Sequence, residues 1–163
     1  ETHYKDLTKP NSNFVKLFSG FKNKSNIIDH KDGKFLVITD IDAPKYKLIS
    51  VDINNPTKKN WVDVIPQNEF LLQSVSTGGG KLWANYLKDV TTRIYRYDYN
   101  GSNKSEIKLP GLGSAGGFGG RKGDDHFFYS FSSFTISSSS PVMNVYLFFL
   151  SFDLINVSIL FNL

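Results

Sequence analysis

Gly33-Lys34-Phe35-Leu36-Val37-Ile38-Thr39-Asp40 and Gly80-Lys81-Leu82-Trp83-Ala84-Asn85-Tyr86-Leu87-Lys88-Asp89 open two stretches that read alike. Each begins Gly-Lys and continues as a β-rich apolar run. After the first come a link, Ile41-Asp42-Ala43-Pro44, and the alternating run Tyr46-Lys47-Leu48-Ile49-Ser50-Val51-Asp52. After the second come a turn at Val90-Thr91-Thr92 and the run Arg93-Ile94-Tyr95-Arg96-Tyr97-Asp98. A third start follows at Gly123-Asp124-Asp125-His126-Phe127-Phe128-Tyr129-Ser130-Phe131. The starts at Gly33, Gly80 and Gly123 lie 47 and 43 residues apart. A repeat of about 40–50 residues built from four short strands is the period of a β-propeller blade. Leu71-Leu72-Gln73-Ser74-Val75-Ser76 supplies a first strand for the second unit. Trp61-Val62-Asp63-Val64-Ile65 and Ser105-Glu106-Ile107-Lys108-Leu109 supply fourth strands. The short links require antiparallel meanders. The pattern therefore predicts an all-β fold, a partial β-propeller with about two full four-stranded blades plus parts of their neighbours. A closed ring takes more blades than this, so the pattern reads as a fragment.

Composition agrees. Phe 14 and Tyr 8 favour strands, and Gly 13 with Pro 6 favour frequent turns. The formal charge is +4, much of it from Lys5, Lys9, Lys16, Lys22 and Lys24. These lysines alternate with Asn, Ser and Asp, which is a solvated basic face and not the dense stripe a nucleic-acid surface needs. Cysteine is absent, which removes disulfides, thiolate nucleophiles and Cys-based zinc sites. The first residue is Glu1 and no signal peptide is visible, so a preceding segment is expected to be missing.

Residues 1–135 are read as the propeller fragment and residues 136–163 as a divergent hydrophobic tail that is not native to the domain. The tail opens on a serine tract, Ser137 to Ser140, and after Pro141 turns rich in Phe, Leu, Ile and Val. Residues 142–163 are long enough to span a bilayer. Asp153 opposes that, because an Asp at a bilayer centre costs about 2.5–3.5 kcal/mol on insertion scales. Asn144, Asn156 and Asn162 add to the cost, and no basic residue flanks the run. A membrane anchor is disfavoured, and translated non-coding sequence is preferred. Either way the run has the makings of an aggregation-prone edge strand.

No motif carries chemistry. Gly111-Leu112-Gly113-Ser114-Ala115-Gly116 matches G-x-G-x-x-G, but a dinucleotide site needs a helix next. Here Gly117-Phe118-Gly119-Gly120 follows, which cannot sustain one. Gly78-Gly79-Gly80 is a turn, without the ending of a phosphate loop. Ser114 lies where a nucleophile elbow would want a Gly in place of Leu112. His3, His30 and His126 are scattered, and Asp124-Asp125 reads as a hairpin turn. The Asn-x-Ser sequons at Asn23, Asn100, Asn103 and Asn156 are expected by chance in so Asn/Ser-rich a chain. The residues therefore nominate no catalytic, cofactor-binding or metal-binding side chain and no cofactor.

A series of short motifs goes further. It runs from Asp42-Ala43-Pro44-Lys45-Tyr46-Lys47-Leu48 through Asn55-Pro56, Asn60-Trp61 and Val64-Ile65-Pro66. It continues through Gly79-Gly80-Lys81-Leu82, Tyr86-Leu87-Lys88-Asp89, Tyr95, Tyr97-Asp98, Leu109-Pro110-Gly111-Leu112-Gly113 and Gly117-Phe118-Gly119-Gly120. It ends at Phe128-Tyr129-Ser130-Phe131-Ser132-Ser133-Phe134-Thr135. In this order, over roughly residues 10–135, it resembles the propeller of the prolyl oligopeptidases, bacterial-type members above all. The family pattern next has a Pro-containing turn and an Ile-Tyr strand, where this chain has Ile136-Ser137-Ser138-Ser139-Ser140.

The resemblance implies a seven-bladed propeller paired with an α/β-hydrolase domain. The hydrolase carries a Ser-Asp-His triad that cleaves short peptides after proline by acyl transfer. The propeller covers the active site and filters substrates by size. The triad belongs C-terminal to the matched region, so none of its residues maps here and this chain alone is expected to be inactive. The implied partners are the hydrolase domain, the remaining blades and, for the parent, short peptides. Nucleic acid and membrane are not among them. The implied compartment is cytoplasm or periplasm. The competing reading is a freestanding β-repeat module that binds another protein. A partial propeller leaves strand edges unpaired. The isolated chain should therefore be poorly soluble or loosely folded, and sharp, cooperative thermal unfolding of a monomer in calorimetry would contradict that.

Overall fold

The computed structural model describes residues 1–136 and 141–151, and every regular element longer than one turn among them is a strand. The chain divides into two compact units, residues 1–68 and 69–163.

The first unit begins with β1 (Thr2–Tyr4) and β2 (Val15–Phe18), an antiparallel pair. Next comes a four-stranded meander of β3 (Ser25–Lys31), β4 (Lys34–Thr39), β5 (Lys47–Asp52) and β6 (Val62–Ile65), hydrogen-bonded in sequence order. The β3–β4 link is the two-residue turn Asp32-Gly33, with φ of 50° and 72°. Positive φ at both positions is the mirror-image turn whose twist suits a hairpin, which explains the glycine at the repeat start. Leu36, Val37 and Ile38 of β4 are all buried, so this central strand is covered on both faces. One face joins Val37, Ile49 and Val51 to Leu17 and Phe18 of β2 in a single cluster. Phe18 meets Trp61 edge-on at 5.3 Å, and the Trp61 indole donates to the Pro56 carbonyl at 2.9 Å. Buried Thr39 closes the sheet's end, donating to the Lys24 carbonyl at 2.9 Å.

The second unit repeats the plan. β7 (Leu71–Gly78), β8 (Lys81–Lys88), β9 (Thr91–Asp98) and β10 (Ser105–Ile107) form a second four-stranded meander. Gly79-Gly80 makes the first hairpin turn, with φ of 57° and 70°. Register explains the Gly-Lys…Asp signature, because Lys34 faces Asp52 and Lys81 faces Asp98 across the second and third strands. The Lys81 ammonium closes on the Asp98 carboxylate at 2.5 Å. A third sheet is built from β11 (Ser114–Gly116), β12 (His126–Ile136) and β13 (Pro141–Ser151) in that order. Its second strand follows Gly123, so all three repeat starts precede the second strand of a sheet. The unit's core gathers Trp83, Ile94, Ala115, Phe118, Tyr129 and Phe131.

The architecture is the all-β partial propeller expected, with two complete antiparallel four-stranded blades. Three local differences have physical causes. β3 is rich in Ser, Asn, Asp and His, so neither apolar alternation nor propensity marks it, and its pairing with β4 carries a bulge between Ile27 and Asp29. The glycine-rich loop holds a short strand, β11, because its backbone finds partners on β12. The β8–β9 turn is Asp89-Val90, with Thr91 and Thr92 already in β9. The serine tract and residues 152–163, with Asp153, Asn156 and Asn162, lie outside the described residues.

Val90 sits in that turn at φ 57° with its side chain exposed. A β-branched residue there costs about 1–2 kcal/mol in the left-handed region. Val90→Gly should therefore slow amide exchange in the β8–β9 hairpin by roughly fivefold, near 1 kcal/mol of local stability, measured by hydrogen exchange.

Candidate functional site

The glycine-rich stretch is where a site would have to be. Its centre is Phe118, whose ring stacks on Trp83 at 6.1 Å and on Tyr129 at 4.6 Å. The three rings come from β8, the loop and β12, so the loop locks a blade to the sheet that follows it. The backbone on either side then runs against the end of β7. The Gly120 amide donates to the Thr77 carbonyl at 2.9 Å, and the Gly79 amide donates to the Arg121 carbonyl at 3.0 Å. The Ser76 hydroxyl donates to the Phe118 carbonyl. The Trp83 indole donates to the Gly78 carbonyl at 3.1 Å. A Cβ on Gly78 would sit 2.7 Å from the Gly120 nitrogen, which no side chain tolerates. Gly117 adopts φ 89°, and a Cβ on Gly113 would strike the Ser132 carbonyl and the Phe131 ring.

The G-x-G-x-x-G match therefore does not act as a unit, and only its Gly113 is required by packing. Gly111 has open space around it. Gly113 and Gly116 lie against or within the β11–β12 pair. Ser114 to Gly116 pair with β12, the Ala115 amide donates to the Thr92 hydroxyl, and no helix follows among the described residues. Ser114 is the exposed first residue of β11, paired with Ser132 and with no base among its described contacts.

The other candidates are dispersed. His3 lies 4.0 Å from Glu1, exposed His30 rests against Phe35 at 5.5 Å, and His126 contacts the Asp125 carboxylate beside it. Asp124 caps its own turn, accepting from the Arg121 amide at 2.7 Å. Asp98 accepts from Lys81 at 2.5 Å and from Asn103 at 2.6 Å, and these bonds hold its carboxyl below the usual carboxylate range. The Tyr129 phenol is pushed up by burial. Of the sequons, Asn100 and Asn103 share the loop after β9, Asn23 precedes β3, and Asn156 lies outside the described residues. Among the described residues no group of three or more His, Cys, Asp or Glu is arranged to hold a metal ion. Among them, too, no helix is long and apolar enough to cross a membrane.

The described residues also form a concavity. A cavity of about 370 Å³ lies along β9 and β10, with walls from Thr91, Arg93, Glu106, Lys108, Leu109 and Leu112. Arg93 bridges to Glu106 across its side at 3.2 Å. The Thr91 hydroxyl donates to the Lys88 carbonyl at 2.8 Å, and the Thr92 hydroxyl accepts from the Ala115 amide at 3.2 Å. With both hydroxyls engaged in structure, these walls offer contact surface and no nucleophile–base pair. Sequence reading missed this hollow, since its residues come from two strands and a loop and form no motif.

The comparisons with known proteins point one way. Residues 1–138 match the family model described as prolyl oligopeptidase, N-terminal beta-propeller domain. A prolyl endopeptidase of Elizabethkingia meningoseptica is 38% identical over 134 residues, which cover 82% of this chain and 19% of that protein. A prolyl endopeptidase of Dictyostelium discoideum is 32% identical over 127 residues, covering 72% of this chain and 17% of its own length. A solved structure from work on two prolyl endopeptidases and their inter-domain dynamics superposes with TM-score 0.81 at 28% identity, over 98% of this chain and 22% of that one. The chain thus spans about a fifth of the length of these relatives.

If the glycines serve packing, Gly78→Ala must push Gly120 off β7. Exchange at the Gly79 and Gly120 amides should then rise by about tenfold or more, within the 1–3 kcal/mol that overpacking costs. Gly111→Ala should leave local stability within about 0.5 kcal/mol. A phosphate cradle would make both glycines matter for bound nucleotide, and neither variant should change nucleotide binding in calorimetry.

Proposed function

The chain belongs to the prolyl oligopeptidase family, in the N-terminal propeller region, and from that premise we propose that it serves as a substrate-gating scaffold of a serine endopeptidase. The parent enzyme, on this reading, cleaves short peptides after proline. The observation that carries it is the match to the family's propeller over residues 1–138, on a chain whose relatives are prolyl endopeptidases. The site geometry supports a scaffold. Glycine backbone, aromatic rings and ion pairs are all used to hold strands together, and among the described residues no nucleophile stands beside a base. The contribution is shape. Blades held by cross-strand hydrogen bonds and ion pairs offer fixed surfaces that, in the parent, admit narrow, extended peptides and exclude folded ones. Proton transfer and oxyanion stabilisation are then the task of the α/β-hydrolase domain of the parent. Its residues have no counterpart in this chain.

The decisive measurement is a transcript read through the codons for Thr135 and onward. Continuation into further blades and a hydrolase domain with a Gly-x-Ser-x-Gly elbow supports the reading, and a transcript with no hydrolase sequence sinks it. The chain of 163 residues, assayed alone, should leave a chromogenic post-proline peptide uncleaved.

A further inference from the structure

The link between β9 and β10 holds Asn100-Gly101, the one Asn-Gly pair in the sequence. Asn100 and Ser102 are exposed, and Gly101 sits at φ 84°. The Asn100 side-chain oxygen, Oδ1, accepts twice from Ser102, from the backbone amide at 3.0 Å and from the hydroxyl at 2.7 Å. For both donors to reach it, the side chain must curl forward over the Gly101 peptide, as asparagines do when they bond their own backbone two residues on. That brings Cγ to the side of the Gly101 nitrogen. Glycine leaves this nitrogen open to approach, since it has no Cβ in the way.

We propose that Asn100 is a site of spontaneous deamidation, with the Gly101 backbone nitrogen as nucleophile and Ser102 as the holder of the developing charge. The Gly101 nitrogen gives its proton to solvent base and bonds to Asn100 Cγ. Negative charge builds on Oδ1, where the Ser102 amide and hydroxyl already point, which is the arrangement of an oxyanion hole. The Cγ–Nδ2 bond then breaks, and the nitrogen leaves as ammonia, taking a proton from solvent. A cyclic imide remains between residues 100 and 101. Water adds to either of its carbonyls and opens it, leaving aspartate or the isomer whose chain runs through the side-chain carboxyl. Water enters, ammonia leaves, and nothing is oxidised or reduced.

Asn103, in the same link, lacks this arrangement. Lys104 follows it, so a side chain crowds the nitrogen that would attack, and its own amide nitrogen is engaged, donating to the Asp98 carboxylate at 2.6 Å. At Asn100 the Gly101 amide donates to the Asp98 carbonyl at 2.9 Å, and that bond has to open before attack. The Ser102 contacts lie within residues 100–102 and do not depend on it. The product sets a new carboxylate two residues from Asp98, whose own carboxylate also accepts from the Ser102 hydroxyl at 3.4 Å. The isomer also lengthens the backbone between β9 and β10.

The full chain, aged near neutral pH in water enriched in heavy oxygen and mapped by peptide mass spectrometry, tests this. Asn100 should convert ahead of every other asparagine, about tenfold or more faster than Asn103, and each converted site should carry a heavy oxygen. Ser102→Ala keeps Asn-Gly and the backbone amide at position 102 but removes the hydroxyl. It should slow conversion by about threefold to tenfold, the worth of a hydrogen bond. Ser102→Thr keeps the hydroxyl and should stay within about twofold. In denaturing urea the Ser102→Ala variant and the unmodified chain should convert at the same rate, because the donors are no longer held on Oδ1. Earlier conversion at another asparagine, conversion without heavy oxygen, a folded Ser102→Ala variant that keeps pace with the unmodified chain, or slowing that persists in urea would overturn the proposal.

Discussion

Phe118 between Trp83 and Tyr129 is the contact on which the second unit depends. Each aromatic pair adds about 0.5–1.5 kcal/mol beyond the area it buries. The geometric consequence is larger than the energy. For the ring to enter between two sheets, its backbone must leave β11 at a left-handed residue, Gly117, and then lie flat on the end of β7. The same Trp83 that stacks on Phe118 donates its indole N–H to Gly78, the residue whose missing Cβ makes room for Gly120. Ring, indole hydrogen bond and glycine contact are one interlocked arrangement. A side chain at Gly78 would therefore be felt at the aromatic stack.

The first unit solves the same problem without a glycine loop. Its central strand is flanked by the β1–β2 pair, and Leu17 and Phe18 fill the place beside Val37, Ile49 and Val51. Thr2 donates to the Ser25 carbonyl at 3.2 Å and Tyr4 to the Ile53 carbonyl at 3.3 Å, so side-chain hydrogen bonds tie the pair to the blade. What the units share is the hairpin grammar: two residues of positive φ, a lysine opening the second strand, and an aspartate opposite it closing the third. Turn twist sets the first requirement, and cross-strand register sets the second.

That grammar is why the blades are legible in the sequence. Gly33 and Gly80 are fixed by φ, and Lys34, Lys81, Asp52 and Asp98 by register, so they recur at nearly the same spacing, 46 to 47 residues, from one blade to the next. β3 leaves no such mark. Its polar residues are held by pairing to an apolar β4, a contact no local pattern encodes. β11 is hidden for a related reason, since Ser114, Ala115 and Gly116 have no strand propensity and are extended only because β12 accepts them. The G-x-G-x-x-G match shows the opposite error that a motif invites. Of its glycines only Gly113 is constrained by a neighbour, while Gly111 and Gly116 have open space, so their spacing is incidental.

The polar groups of the described residues follow the same economy. A catalytic group must keep a polar atom unsatisfied and aimed at a substrate, which costs stability in a small sheet. Here the polar groups that matter are consumed. Asp98 is clamped by Lys81 and Asn103, Asp124 by its own turn, and the Thr91 and Thr92 hydroxyls by backbone partners. Groups held this way present fixed surfaces. The last strands of the complete blades are settled in the same way, since β6 and β10 are short and each carries an ion pair.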